Sequence, residues 1–203
     1  MCYRFVSGHL LFILIMCGST MTFAQSAGTI LLRNGGLEAN WQIGFQMEAW
    51  GAWGTGATPD VLPGQWSISK LPKEGKSYVG LIIREDGTKE GIVQKLDHQL
   101  EAGQCYYLSL ALAHLPDYAG FKLPGSIRLK GRLGNNGKVF DLAMSPLITH
   151  EQWVYYTLEF TPSSTVDQVI IQASYAPGVT KPYRGNILID HLSSFSRCLR
   201  ASL

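Results

Sequence analysis

The chain has 203 residues, a formal charge of +2, 46% hydrophobic and 16% charged residues, 22 Gly and five Trp. That length suits one large domain with a proper core, and the low charge density with abundant Gly and aromatics excludes a disordered or coiled-coil chain. So small a net charge gives no nucleic-acid footprint, which would need clustered Lys and Arg.

Residues 1–24 read as a signal peptide. Arg4 supplies a short positive region, and the apolar run His9–Cys17 is too short for a bilayer span, which takes roughly 20 residues. Thr22 and Ala24 put small residues at −3 and −1 of a cleavage site before Gln25. A competing reading takes Leu14-Ile15-Met16-Cys17 as a lipobox with Cys17 lipidated, although Met16 is bulky where that box wants a small residue. Cleavage leaves a single module over 25–203 with no membrane span and two cysteines, Cys105 and Cys198, most simply one disulfide in an exported chain.

Along the module, short apolar or alternating runs are punctuated by Gly, Pro, Asn or Asp. Strands are predicted at 29–33, 78–84, 91–96, 105–114, 126–133, 138–142, 153–160, 168–175 and 186–195. Alternation is clearest at Tyr106, Leu108, Leu110 and Leu112, and again at Val154, Tyr156, Leu158 and Phe160. Asn136-Gly137 between two such runs predicts a hairpin turn, since both residues tolerate positive φ. Strands without crossover helices imply antiparallel pairing, hence an all-β jelly-roll sandwich. The segment 38–76 is too long for an ordinary connection and is a candidate functional loop.

Several segments resemble carbohydrate-binding modules with the galactose-binding-domain-like jelly roll. Asn34-Gly-Gly-Leu37-Glu38 before a Trp resembles their "N-x-x-F-E…W" opening, with Leu37 in place of Phe. Ile92-Val-Gln94-Lys-Leu96 and Leu100-Glu-Ala-Gly103-Gln-Cys-Tyr106 resemble the "Q-x-L…L-x-x-G-x-x-Y" core. Trp153-Val-Tyr155-Tyr and Gly185-Asn-Ile-Leu-Ile189-Asp190 resemble the closing strands. The likeness spans about residues 30–196, and is similar to exported Bacteroidetes modules found beside outer-membrane-protein-A-type domains. It implies a non-catalytic module that binds glycan. It also implies a structural Ca²⁺ held by Glu38 and Asp190, although Ca²⁺ needs six to eight oxygens; the alternative is a turn cap and an acceptor of backbone bonds.

The leading ligand-binding candidates are Trp50 and Trp53, flat rings among glycines in the long loop, with Arg84, Tyr118 and Tyr183 to orient hydroxyls. Trp41 and Trp66 read rather as covers over the open ends of the sandwich. Arg84 with Glu85, Asp86 and Glu90 is either a sugar-binding cluster or a solvated hairpin tip. Arg128, Lys130 and Arg132 alternate onto one face of one strand, where they either attract an anionic polysaccharide or lipid surface or protect a sheet edge from aggregation. Catalysis is not expected. The histidines lack metal-ligand spacing, there is no Gly-x-Ser-x-Gly elbow, and a carboxylate pair such as Glu48 with Asp60 is one of many by count. The reading is an exported, non-enzymatic carbohydrate-binding module; the alternative is an adhesion or accessory subunit whose partner is an envelope protein.

Overall fold

The computed structural model describes residues 28–40 and 45–198, so the signal-peptide reading of 1–24, Cys17 and Trp41 lie outside the described residues. The predicted two-sheet sandwich is present. One sheet has five strands in the order β1 (Gly51–Trp53), β4 (Gly91–Leu100), β10 (Val166–Ser174), β7 (Ser126–Arg132) and β8 (Phe140–Met144). The other has seven. Its main run is β2 (Asp60–Leu62), β3 (Tyr78–Ile83), β11 (Gly185–Asp190), β5 (Tyr106–Ala113), with β9 (Val154–Phe160) on the far side of β5. β12 (Ser196–Arg197) pairs with the start of β5, and β6 (Leu123–Pro124) lies parallel to the start of β11. All other strand pairings among the described residues are antiparallel.

The alternating runs decide what lies between the sheets. Tyr106, Leu108, Leu110 and Leu112 of β5 face Val166, Val169, Ile171 and Ala173 of β10 in one apolar cluster. A second, smaller cluster sits on the outer face of the seven-stranded sheet, where Leu62, Ile68 and Tyr118 cover Tyr78, Ile82, Ala113 and Leu188. β3 and β11 are therefore buried on both faces, which is why they read as unbroken apolar runs rather than as alternation. Tyr118 seats this cover closely: a Cβ on Gly80 would stand 2.1 Å from its Oη.

Three local expectations change. The predicted strand at 29–33 is reduced to one bridge, Ile30 with Phe195. The segment 38–76 is not wholly irregular, since it contributes β1 and β2. The β7–β8 hairpin forms, but positive φ falls on Gly134 rather than on Asn136 or Gly137, because the connection is longer than a two-residue turn.

The ends of the module are tied together. Cys105 and Cys198 form the expected disulfide across 93 residues of sequence. No helix of the described residues is long and apolar enough to cross a membrane.

Candidate functional site

Because Leu129, Val169 and Ile171 point inward, their neighbours on β7 and β10 point away from the core. The register sets Arg132 opposite Gln168, Lys130 opposite Ile170 and Arg128 opposite Gln172 on the outer face of the five-stranded sheet. Ile170 is nonetheless fully buried, so longer neighbours roof this face. At the β1 edge, Trp53 pairs with Gly91, where a Cβ would stand 2.7 Å from the Ile171 carbonyl of β10. The guanidinium of Arg132 lies over the Trp53 ring, 4.8 Å from its centroid.

Beside Trp53 opens a groove of about 560 Å³ lined also by Thr55, Gly87, Thr88, Lys89 and Gln172. The lining combines a flat apolar ring with hydroxyl, amide and ammonium groups, the mixture that suits a polyhydroxylated ligand with apolar ring faces. Lys89 lies on the β3–β4 hairpin, bridged to Ile83, and its ammonium is 4.5 Å from the Tyr175 ring centroid. Burial lowers the Lys89 pKa, and the nearby charges of Arg128 and Lys130 lower it further.

Of the residues singled out in the sequence, only Trp53 lines this groove. Trp50 is 5% exposed; it packs into the main core and donates its indole N–H to the Asn34 carbonyl at 3.1 Å. What little of it is exposed borders a different groove, shared with Phe45 and Trp66. Tyr118 is likewise buried, its hydroxyl donating to Asp60 Oδ2 at 2.6 Å, so it is a strut and not a ligand contact. Burial holds the Asp60 carboxyl above its ordinary range despite that bond. Arg84 is engaged by Glu90, with Nη2 2.6 Å from Oε1, and the Glu90 side chain is 1% exposed. The pair is a buried brace inside the hairpin rather than a solvated tip. Tyr183 donates to the Pro124 carbonyl, accepts from the Ala176 amide and packs on Tyr175, supporting the far end of the groove without lining it.

Trp66, expected to be a cover, is the most exposed tryptophan among the described residues at 64%, on a tight turn with φ of 52°. It lines two further grooves, of about 520 and 480 Å³. The groove residues Lys89 and Gln172 were missed because they belong to a hairpin and a strand far apart in sequence. The alternation of Arg128, Lys130 and Arg132 was the one signal that marked this face.

No protein-family model and no curated protein matches the chain. Among solved structures it is similar to the CBM22-1 xylan-binding domain from Paenibacillus barcinonensis Xyn10C, with TM-score 0.51 and 17% identity over 88% of this chain and 100% of that one. The fold is the jelly roll of carbohydrate-binding modules. The tandem CBM22-1–CBM22-2 domain of the same protein matches at TM-score 0.51 and 16% identity, over 88% of this chain and 47% of that one. Arabinose-bound MgGH51 α-L-arabinofuranosidase matches at TM-score 0.55 and 16% identity, over 85% of this chain but 27% of the enzyme. At these identities the likeness concerns the fold.

In this jelly roll Glu38 and Asp190 meet at one loop, 73–76, but their surroundings do not fit Ca²⁺. Asp190 Oδ2 accepts the amides of Lys73 and Glu74, and Oδ1 accepts that of His191. Glu38 accepts the Lys76 amide with both oxygens. Both carboxylates are thus aimed at N–H donors, where a cation would need further oxygens. Gly75 permits this approach: its φ is +68°, and a Cβ there would lie 1.6 Å from Glu38 Oε1.

Burial, with a smaller contribution from Glu38, pushes the Asp190 carboxyl up to about 6. The unfolded chain binds the same proton with a pKa of roughly 3.9. Because the folded state holds the proton more tightly, this contribution to stability is full below pH of about 4 and is lost as pH rises through about 6, by up to about 3 kcal/mol. Urea unfolding across that range is expected to show the decline in the native protein and not in Asp190→Asn. Parallel pH profiles for the two would refute the assignment.

Proposed function

We propose that the protein is an exported, non-catalytic module that binds carbohydrate through the outer face of its five-stranded sheet. The observation that carries this reading is Trp53 at the wall of the groove, with Gln172, Thr88 and Lys89 beside it. The ring supplies area at small entropic cost, and the polar groups fix the orientation of sugar hydroxyls. The opposite sheet is less suited, because its outer face is sealed by the second apolar cluster. A binding role is also in keeping with the whole-length likeness to a xylan-binding domain. The disulfide and the signal-like leader support an extracytoplasmic setting. An envelope-assembly role would call for a broad apolar patch; Val154 and Tyr155 on β9 are exposed together, and Leu71 accepts a hydrogen bond from neighbouring Trp153, so that is where a partner surface would be sought.

The test is calorimetry or affinity electrophoresis against plant, algal, host and peptidoglycan polysaccharides. Trp53→Ala is expected to weaken binding about 30-fold, equivalent to about 2 kcal/mol. Trp66→Ala, on a different loop, should leave it within about twofold on the same reasoning. The reverse pattern would move the site to the grooves beside Trp66 and defeat the assignment.

A further inference from the structure

The chain as a whole is nearly neutral, with 17 basic and 15 acidic residues, yet cations gather on the face that carries the groove. Lys89 stands close enough to Arg128 and Lys130 for their charges to depress its own ionisation. One carboxylate, Asp141, serves two of these cations: it pairs with Arg128 and lies 4.0 Å from Lys130.

Arg132 is held differently. Its Nε and Nη2 donate to Gln168 Oε1 at 2.9 and 2.7 Å, and its Nη1 donates to the Asn135 carbonyl at 2.7 Å. Both acceptors are neutral. They fix the guanidinium over Trp53 with three of its five N–H groups engaged, and among the described residues no carboxylate forms an ion pair with it. A guanidinium so held keeps two N–H groups, one on Nη1 and one on Nη2, for acceptors of a ligand.

Protection of a sheet edge does not account for the stripe. β7 is an interior strand, paired with β10 on one side and β8 on the other, so it has no open edge to defend. The distance from Arg128 to Arg132 along the strand is roughly 13 Å, enough for a short run of sugar units.

We infer that the ligand of this face is an acidic polysaccharide, its carboxylate or sulfate groups met by Arg132, Lys130 and Lys89 while a sugar ring lies against Trp53. This rests on the glycan-binding reading above and adds the charge of the ligand to it. Asp141 tempers the field at the β8 side, so the strongest attraction lies towards Trp53 and the groove.

The test uses the chain expressed at full length, with oligogalacturonate, chondroitin sulfate, neutral xylohexaose and duplex DNA as probes. An acidic glycan should bind, and its affinity should fall at least about tenfold between about 0.05 and 0.5 M NaCl, since the ion pairs lie at the surface. Whether oligogalacturonate or chondroitin sulfate binds more tightly distinguishes carboxylate from sulfate. The Lys130→Gln, Arg132→Gln double variant and the separate Lys89→Gln variant should each weaken binding and flatten the salt dependence, with circular dichroism to check that each is folded. Two independent variants keep the test informative if one of them misfolds. Salt-independent binding of xylohexaose with equal affinity would overturn this inference and leave the glycan reading standing. Binding to none of the glycans would overturn both, and DNA bound as tightly as the acidic glycan would overturn selectivity for sugar.

Discussion

Arg84→Ala is expected to destabilise the protein by about 3 kcal/mol, the low end of the cost of breaking a buried ion pair. Glu90 would lose its only charged partner among the described residues while remaining buried. The low end applies because the carboxylate keeps other donors: Oε1 accepts the Thr58 amide at 3.0 Å and Oε2 the Ile82 amide at 3.2 Å. The Arg84→Ala, Glu90→Gln double variant should recover roughly 1 kcal/mol or more, since it also removes the stranded charge. Urea titration of the two variants checks both values. A single variant within about 1 kcal/mol of the native protein would show that the pair is not a brace. The consequence reaches function, because Arg84 and Glu90 flank the turn that carries Thr88 and Lys89 into the groove. Glycan affinity should therefore drop in Arg84→Ala although Arg84 itself lines no part of the groove.

Loss of the Cys105–Cys198 disulfide should have the largest effect, about 4–5 kcal/mol on the chain-entropy argument for a loop of this length. The bond joins the start of β5 to the end of the described chain, where the Cys198 amide also donates to the Cys105 carbonyl at 3.1 Å. Without it β12 is held to β5 by two residue pairs, and the Ile30–Phe195 bridge loses a nearby anchor. A Cys105→Ser, Cys198→Ser double variant, compared with the native protein by chemical denaturation, avoids stray thiol chemistry. An unchanged midpoint and slope would mean that the ends are secured by packing alone.

Much of the fold was legible because its long strands have period two or are unbroken apolar runs. β5 is the clear case: its four alternating large residues all enter the core. β9 shows where that logic weakens. Leu158 and Phe160 are buried as expected, but Val154 is 41% exposed, because β9 is an edge strand beyond β5 and the core does not extend beneath its first residues. β1 and β2 escaped notice, since three residues contain too little repeat to signal a strand.

The site was less legible than the fold. Trp50 and Trp53 share a glycine-rich stretch with no periodicity, so local sequence gave no reason to separate them. The Met47–Trp50 bridge turns Trp50 inward, while pairing of Trp53 with Gly91 turns the second indole outward. Glu38 and Asp190, expected to share a cation, both reach the loop 73–76, yet that loop presents amides to them, and backbone orientation is not encoded in residue type.

By itself, the sequence determined the all-β sandwich, the disulfide and the alternation that aligns Arg128, Lys130 and Arg132 on one face. These depend on local periodicity and on residue chemistry, which act over a few positions or through a single obvious pairing. Only the tertiary structure decided that this face also receives Trp53, Lys89 and Gln172, because β4 and β10 stand between β1 and β7. The physical reason is that a binding face on a sheet is set by strand order and register, which are settled by hydrogen bonds between segments distant in sequence.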